Sequence, residues 1–182
     1  MKKILFVLLG ALALTSCSKE TPAKKTSYEF GRAEIRGLSE GYNASGEVLL
    51  EETSDGLKID AYVRGLDPGK HGFHIHQFGD TGNNGENAGG HYNPLGVQHG
   101  YLPKDGFEKA HAGDFGNIEV DDEGNGEAHL LIRGLTLSDG TFSVAGRAFI
   151  IHLKPDDFGQ PTGNAGGRAA GGPILIVDKN LQ

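Results

Sequence analysis

The chain has 182 residues, a formal net charge of −7 and a single cysteine. An acidic chain lacks the basic surface that binds nucleic acids or anionic lipid headgroups, so neither is expected as an electrostatic partner. The length corresponds to about one domain with a single core, and one cysteine excludes an internal disulfide.

The first 16 residues have the features of an export signal. A basic Met-Lys-Lys start precedes an apolar run over residues 4–14, which is too short to span a bilayer. The run ends in Leu-Thr-Ser before Cys17, and this sequence resembles the bacterial lipobox, whose cysteine is acylated. We therefore predict a lipoprotein signal peptide over 1–16, a lipidated Cys17 with a flexible tether over 17–27, and one domain over 28–182. The predicted location is the cell envelope or periplasm, with a membrane anchor through Cys17; an ordinary signal peptide that leaves Cys17 without a role is the alternative.

After the tether, short runs of alternating polar and apolar residues predict eight strands. They cover residues 28–35, 46–53, 57–64, 71–78, 117–120, 127–133, 141–152 and 172–178. Turn-forming clusters separate several of them, and no stretch has a convincing helical period. Many short strands without helices predict an all-β sandwich or barrel. Two long polar segments, 79–115 and 154–170, interrupt the strands, and loops of this length are usually functional or disordered.

All eight histidines lie between positions 71 and 152. His74 and His76 alternate with core residues on one predicted strand, so both rings project from its exposed face. Alone, they would be two solvated histidines. Further candidate ligands follow along the chain: His91 and His99 on the first long loop, His111 with Asp114 three residues later, and an outward-facing His152 at a strand end. Imidazole suits copper and zinc, and a carboxylate beside imidazoles suits zinc. Seven candidates exceed one tetrahedral site, so their number predicts two metal sites, with or without a shared ligand.

Five segments in order carry a resemblance to a known family: GFHIHQFGD (72–80), GGHYNPLGVQHG (89–100), HAGDFGN (111–117), GRAFIIHLKPDDFG (146–159) and TGNAGGRAA (162–170). They resemble the signature blocks of copper/zinc superoxide dismutases, from about residue 28 to residue 178. The resemblance implies an eight-stranded Greek-key barrel or immunoglobulin-like sandwich with two functional loops. It also implies an enzyme that converts superoxide to oxygen and hydrogen peroxide.

The resemblance further implies roles for individual residues. Copper would be held by His74, His76, His91 and His152, and zinc by His91, His99, His111 and Asp114, with His91 bridging the two ions. Asp156 matches an outer carboxylate that hydrogen-bonds one ligand of each metal, His74 and His99, and such a group fixes ring orientation. Arg168 matches the arginine beside the copper that receives superoxide, so His91 and Arg168 are the implied catalytic residues.

The chain departs from the family pattern where a disulfide usually ties the metal-binding loop to the segment after the arginine. Gly85 and Gly171 stand at the two cysteine positions. Loss of such a bridge typically costs about 2–5 kcal/mol. We therefore expect stability to depend strongly on bound zinc, and a backbone carbonyl near Gly85 can still orient Arg168. The segment between His152 and Arg168 is also shorter than in the best-known eukaryotic members.

Two functions remain open on the residues alone. The alternative to the enzyme is a non-catalytic copper- and zinc-binding lipoprotein of the envelope, and the complete ligand set together with Arg168 favours the enzyme. A purely structural sandwich does not explain the spacing of the histidines. We expect His71 to make a structural hydrogen bond at a strand edge and His129 to be exposed; Lys154 is a weak candidate for attracting the substrate. The sequence does not decide between a monomer and a homodimer.

Overall fold

The computed structural model describes residues 29–178 and contains eight strands that close into one barrel. The strands are β1 (Phe30–Gly37), β2 (Ser45–Thr53), β3 (Gly56–Arg64), β4 (Gly69–His76), β5 (Asp114–Val120), β6 (Asn125–Ile132), β7 (Ala148–His152) and β8 (Arg168–Val177). Their order around the barrel is β1-β2-β3-β6-β5-β4-β7-β8, with β3 beside β6 and β4 between β5 and β7. These crossed connections are those of a Greek key. The predicted all-β, eight-stranded fold is confirmed.

Apolar side chains at alternate strand positions fill the barrel. On β3, Leu57, Ile59 and Ala61 are fully buried, whereas the residues between them contact solvent. Phe73 on β4 stacks on Phe149 of β7, with the ring centroids 5.2 Å apart. Burying a side chain of this size contributes about 1.5–3 kcal/mol. The strands that carry the candidate ligands therefore belong to a well-packed frame.

The predicted strand 141–152 was too long, because only its last five residues form β7. Gly146 has a φ of 76°, a left-handed conformation that does not occur within a regular strand. The residues before it bond to another loop, and the N–H of Ala145 donates to the carbonyl of Leu137 at 2.8 Å. The alternation of apolar residues continues through this turn, which is why the pattern alone did not reveal it.

Two strands begin three or four residues earlier than predicted, and each of these two begins with a candidate site residue. β5 starts at Asp114, which lies opposite His74 of β4, and β8 starts at Arg168, which lies opposite His152 of β7. Both pairs lie at a shift of register between the strands. Such irregularities reorient side chains near functional sites. The sheet backbone thus holds residues that the sequence had placed on loops.

The first long loop folds back along the end of β4. The N–H of Gln77 donates to the carbonyl of Gly90, and that of Tyr92 to the carbonyl of Ile75, both at 2.9 Å. The loop also contains two short helical turns that were not predicted, a 3₁₀ turn at Glu86–Ala88 and α1 at Leu102–Asp105. Within residues 29–178 no helix has the length and apolar character needed to cross a membrane.

Candidate metal centre

His74 and His76 of β4 and His152 of β7 face away from the core, as predicted, but they are not exposed. His74 and His76 are 0% and 1% accessible, and His152 is 5% accessible. The chain after β4 covers them, and the backbone of His91 pairs with that of His76. The expectation of an exposed face was wrong in this respect, because alternation shows which side of a strand a residue takes but not what folds over that side.

Four imidazoles converge between β4, β7 and the first long loop. This four-histidine cluster consists of His74, His76, His91 and His152, whose ligand atoms all lie within 4.8 Å of one another. The Nε2 atoms of His76 and His152 are 3.2 Å apart. Their Nδ1 atoms donate to backbone carbonyls, that of His76 to Gly89 at 2.9 Å and that of His152 to Gly166 at 3.2 Å. These bonds fix both ring orientations and leave both Nε2 atoms for a metal ion.

A second group converges around a carboxylate. This histidine–aspartate cluster consists of His91, His99, His111 and Asp114, and its ligand atoms also lie within 4.8 Å of one another. The carboxylate of Asp114 lies 2.8 Å from Nδ1 of His91, 2.8 Å from Nδ1 of His99 and 3.1 Å from Nδ1 of His111. The backbone N–H groups of Gly100 and His111 donate to Asp114 Oδ2 at 2.9 and 3.0 Å. Two backbone N–H groups therefore fix the position of the Asp114 carboxylate.

The His91 ring belongs to both clusters. Its Nδ1 faces Asp114, so Nε2, on the other side of the ring, is the nitrogen that remains for the four-histidine cluster. The ring centroid lies 4.1 Å from that of His74 and 5.0 Å from that of His76. On the other side it lies 5.5 Å from that of His111. One imidazole thus lies between two ligand sets.

The carboxylate of Asp156 accepts a hydrogen bond from one histidine of each cluster. Nε2 of His74 donates to one of its oxygens at 2.9 Å, and Nε2 of His99 donates to it at 3.0 Å. These are the two rings that the family resemblance pairs with Asp156. Asn117 holds this residue in turn, because its side chain accepts from the N–H of Asp156 at 2.7 Å and donates to its carbonyl at 3.0 Å. Both rings are thus fixed with Nδ1 directed at the cluster.

The unpartnered atoms of the site fit metal ions. Within residues 29–178, Nδ1 of His74 and Nδ1 of His99 are buried side-chain nitrogens without a hydrogen-bond partner. The His99 atom lies 2.8 Å from Asp114 Oδ2, but this contact lacks hydrogen-bond geometry. Burying such groups unpaired is costly, and a cation bound at each of the two nitrogens removes the cost. The residues could therefore hold one ion in each cluster.

Burial keeps most of these rings neutral. It lowers the pKa of His91 to about 4 and that of His152 to about 3, with neighbouring histidines adding to the effect. Burial is also the main cause that lowers the pKa values of His74 and His76. Neutral rings are the form that binds metals. His99 differs: burial acts to lower its pKa, but the carboxylates beside it outweigh burial and raise the pKa to about 9.

The carboxylates remain ionised. Burial acts to raise the pKa of Asp114 and of Asp156, but hydrogen bonds from the surrounding histidines outweigh it and lower both values. Each cluster edge therefore carries a fixed negative charge at neutral pH, which favours a bound cation.

Arg168 lies at the edge of the four-histidine cluster with its guanidinium held by two backbone carbonyls. Nη1 donates to Gly85, and Nη2 donates to Gly89 at 2.6 Å. A carbonyl at position 85 was expected to orient this arginine, and the structure contains that bond. The Gly89 carbonyl also accepts from His76, so one peptide group links the arginine to a candidate ligand. Glu86 lies 3.7 Å from Nε and was not foreseen.

Two further residues that support the site escaped the sequence analysis. The side chain of Gln160 accepts from the N–H of His99 at 3.1 Å and donates to its carbonyl at 2.8 Å. The ring of Phe158 stacks over that of His99, with centroids 6.5 Å apart. Both belong to the second long loop, and no local spacing in the sequence connects them with His99. Asn117 stood within a quoted motif, but its function there was not recognised.

The two histidines outside the ligand sets behave largely as expected. His71 contacts the carbonyls of His152 and Asp67 at 2.7 and 2.8 Å, but it is buried within β4 of a closed barrel rather than at a strand edge. His129 is exposed on β6 and contacts Asp60 at 2.8 Å. Cys17, the predicted signal peptide and the tether lie outside the described residues.

Comparisons with known proteins agree with this arrangement. The family model described as copper/zinc superoxide dismutase (SODC) matches residues 44–174. Among solved structures, the chain is similar to the clock protein EA4, with 33% sequence identity and a TM-score of 0.71. That match covers 81% of this chain and 94% of the other. The chain belongs to the copper/zinc superoxide dismutase family.

Proposed function

We propose that the protein is a superoxide dismutase, which converts two superoxide anions and two protons into one oxygen and one hydrogen peroxide molecule. The observation that carries the proposal is the His91 ring, placed between two clusters of candidate ligands. A metal store needs binding sites but no shared imidazole and no cation beside them. Membership of the family supports the same activity.

The two clusters differ in the metal they suit. The all-imidazole set would hold copper, and the set that contains Asp114 would hold zinc. When bound, copper supplies a centre that can both accept and return an electron, whereas zinc does not change oxidation state. The different donor sets thus match the division between a redox site and a structural site.

Arg168 would bind the anionic substrate. Its guanidinium is held by two carbonyls and its side chain is only 11% exposed, so the group keeps one orientation and a charge that water screens weakly. Two of its five N–H groups are used for this support, which leaves donors for a small anion. A donor that is already oriented needs no reorganisation when the substrate arrives.

His91 would move a proton. Asp114 holds Nδ1, and Nε2 is the ring atom on the side of the four-histidine cluster. Burial lowers the pKa of this ring to about 4 in the metal-free protein, so the ring is neutral at pH 7. We assign to Nε2 the uptake of one proton and its transfer to the peroxide product.

The alternative is a non-catalytic envelope protein that binds copper and zinc at the same residues. One similar solved structure is that of the clock protein EA4, so at least one protein with this fold is named for a role other than dismutation. Arg168, partly buried and held by two hydrogen bonds, favours the enzyme, because an anion-binding donor has no use in metal storage.

The location of the protein is a separate proposal. We propose that Cys17 is acylated after removal of residues 1–16 and anchors the domain to an envelope membrane. Fractionation of cells that express the natural chain or Cys17→Ser tests this: the natural chain should sediment with membranes and the variant should not. Equal distribution of the two chains would contradict lipidation.

Dismutation by metal-reconstituted protein tests the activity. The natural protein should dismutate superoxide rapidly in the presence of a chelator that inactivates free copper, and His152→Ala should lose both copper and activity. Arg168→Ala should lower the rate on the order of 10²-fold with its metal content unchanged. Arg36→Ala, at an exposed arginine on β1, is the matched control and should be unaffected. A natural protein that is no faster than His152→Ala in the presence of the chelator would eliminate the enzyme and leave the binding protein.

A further inference from the structure

Leu38 fills the space between the two glycines that stand at the family's cysteine positions. A Cβ atom at Gly85 would lie 2.9 Å from Cδ1 of Leu38, and one at Gly171 would lie 3.1 Å from the same carbon. A single methyl group therefore occupies the place where side chains from both positions would meet. Gly85 also has a φ of 84°, in which a side chain is strained. Leu38 fits only because both positions lack side chains.

The Leu38 side chain packs against two separate elements. It contacts a small buried cluster of Ala88, Ala148 and Ile150, each 0% exposed. Ala88 belongs to the 3₁₀ turn of the first long loop, and the other two residues belong to β7. Leu38 itself directly follows β1. One side chain thus joins the end of β1 and β7 to the turn after Gly85.

Leu38 and Ser39 also form hydrogen bonds with the start of β8. The N–H of Leu38 donates to the carbonyl of Ala169 at 2.9 Å, and the hydroxyl of Ser39 donates to the carbonyl of Arg168 at 2.7 Å. These two residues, which we call the Leu38–Ser39 corner, therefore hold the main chain of Arg168. At its other end, the guanidinium bonds to Gly85 and Gly89, the residues on either side of the 3₁₀ turn.

We infer that the Leu38–Ser39 corner positions Arg168 by packing, in the place where the family uses a disulfide. Ser39 fixes the backbone of the arginine, and Leu38 fixes the turn whose carbonyls hold its guanidinium. Leu38 is a positioning residue, because it belongs to neither ligand cluster and acts through the turn. The inference rests on the proposed function for its effect on turnover, but the mobility of Arg168 can be measured without turnover.

The test measures hydrogen exchange of the Arg168 guanidinium N–H groups by ¹⁵N NMR in zinc-loaded, copper-free protein. Leu38→Ala should raise the exchange rate about tenfold or more, whereas Leu38→Met, which conserves volume, should stay near the natural rate. Leu57→Ala, a core truncation on β3, is the control for general loss of stability and should leave the rate unchanged. Should Leu38→Ala not fold, Ser39→Ala should raise the exchange rate by itself.

Dismutation by the copper-loaded variants provides the second measurement. Leu38→Ala should lower the rate about tenfold, since a small misplacement of a binding group is costly. In an Arg168→Ala background the same substitution should have no further effect. Unchanged exchange in Leu38→Ala, or an equal increase in Leu57→Ala, would overturn the inference. An inactive natural protein with fast exchange in Leu38→Ala would instead refute the proposed function and support the positioning.

Discussion

Zinc uptake is expected to displace a proton from His99. Burial acts to lower the pKa of this ring, but Asp114 and Asp156 outweigh it and raise the pKa to about 9. The ring of the metal-free protein is therefore a cation at neutral pH. Its Nε2 already donates to Asp156, so the proton that must leave is the one on Nδ1, the nitrogen that faces the histidine–aspartate cluster.

The size of the effect follows from the pKa. At pH 7 a group with a pKa of about 9 is protonated about 100 times more often than not. Zinc should therefore bind about 100-fold more weakly at pH 7 than above pH 10, a difference of about 2.7 kcal/mol. The apparent dissociation constant should fall about tenfold per pH unit between roughly pH 6.5 and 8.5 and then level off.

Calorimetric titration of copper-free protein with chelator-buffered zinc, in buffers of different protonation enthalpy, measures the protons released. We expect about one more proton per zinc at pH 7.5 than at pH 10. Asp156→Asn removes one of the two raising carboxylates and should shrink this difference. Asp60→Asn, at a partly exposed carboxylate that contacts His129 outside both clusters, should leave it unchanged. Equal proton release at the two pH values would refute the assignment of the charge to His99.

Three further predictions concern stability. Zinc at about 1,000 times its dissociation constant should add about 4 kcal/mol to the free energy of unfolding. The melting temperature of zinc-loaded protein, measured by calorimetry, should therefore lie on the order of 10 °C above that of the metal-free form. Nearly equal melting temperatures would contradict the dependence of stability on zinc. Metal-free protein should be most stable near pH 6.5. The pKa of His99 is raised to about 9, so the stability that this ring contributes is lost as the pH rises towards 9. The pKa values of His91 and His152 are lowered to about 4 and about 3, so stability is also lost as the pH falls towards these values. Urea midpoints across this range would show the maximum, and a steady rise up to pH 9 would argue against it. Asn117→Ala should lower the urea midpoint by the equivalent of about 1–3 kcal/mol and speed zinc loss to a chelator, because Asp156 loses two hydrogen bonds; a change in stability alone would show that Asn117 does not support the site.

The candidate ligands could be found from sequence because they lie in short, ordered motifs. The i, i+2 spacing of His74 and His76 on a strand gives their common side without knowledge of the rest of the fold. Asp114 and Arg168 were identified by the same motifs, but their place at the start of strands was not. Their strands begin within glycine- and alanine-containing segments, where the alternation that marks a strand is absent.

What the sequence could not show is contact between distant segments. Gln160 and His99 are 61 residues apart, and only the folded loops bring them together. The burial of His76 likewise depends on a loop that returns over its own strand. In the sequence Leu38 is an ordinary apolar residue near a strand end, and its packing role can be recognised only when the structure places it beside Gly85 and Gly171. Tertiary packing, rather than local preference, decided each of these features.

The proposed dinuclear site requires one imidazole, that of His91, to lie between a copper ion and a zinc ion. Anomalous diffraction at the two absorption edges, from crystals of metal-reconstituted protein, would locate both ions. We expect a copper peak within the four-histidine cluster and a zinc peak within the histidine–aspartate cluster, one on each side of the His91 ring. A single metal peak, or two peaks on the same side of that ring, would contradict the account.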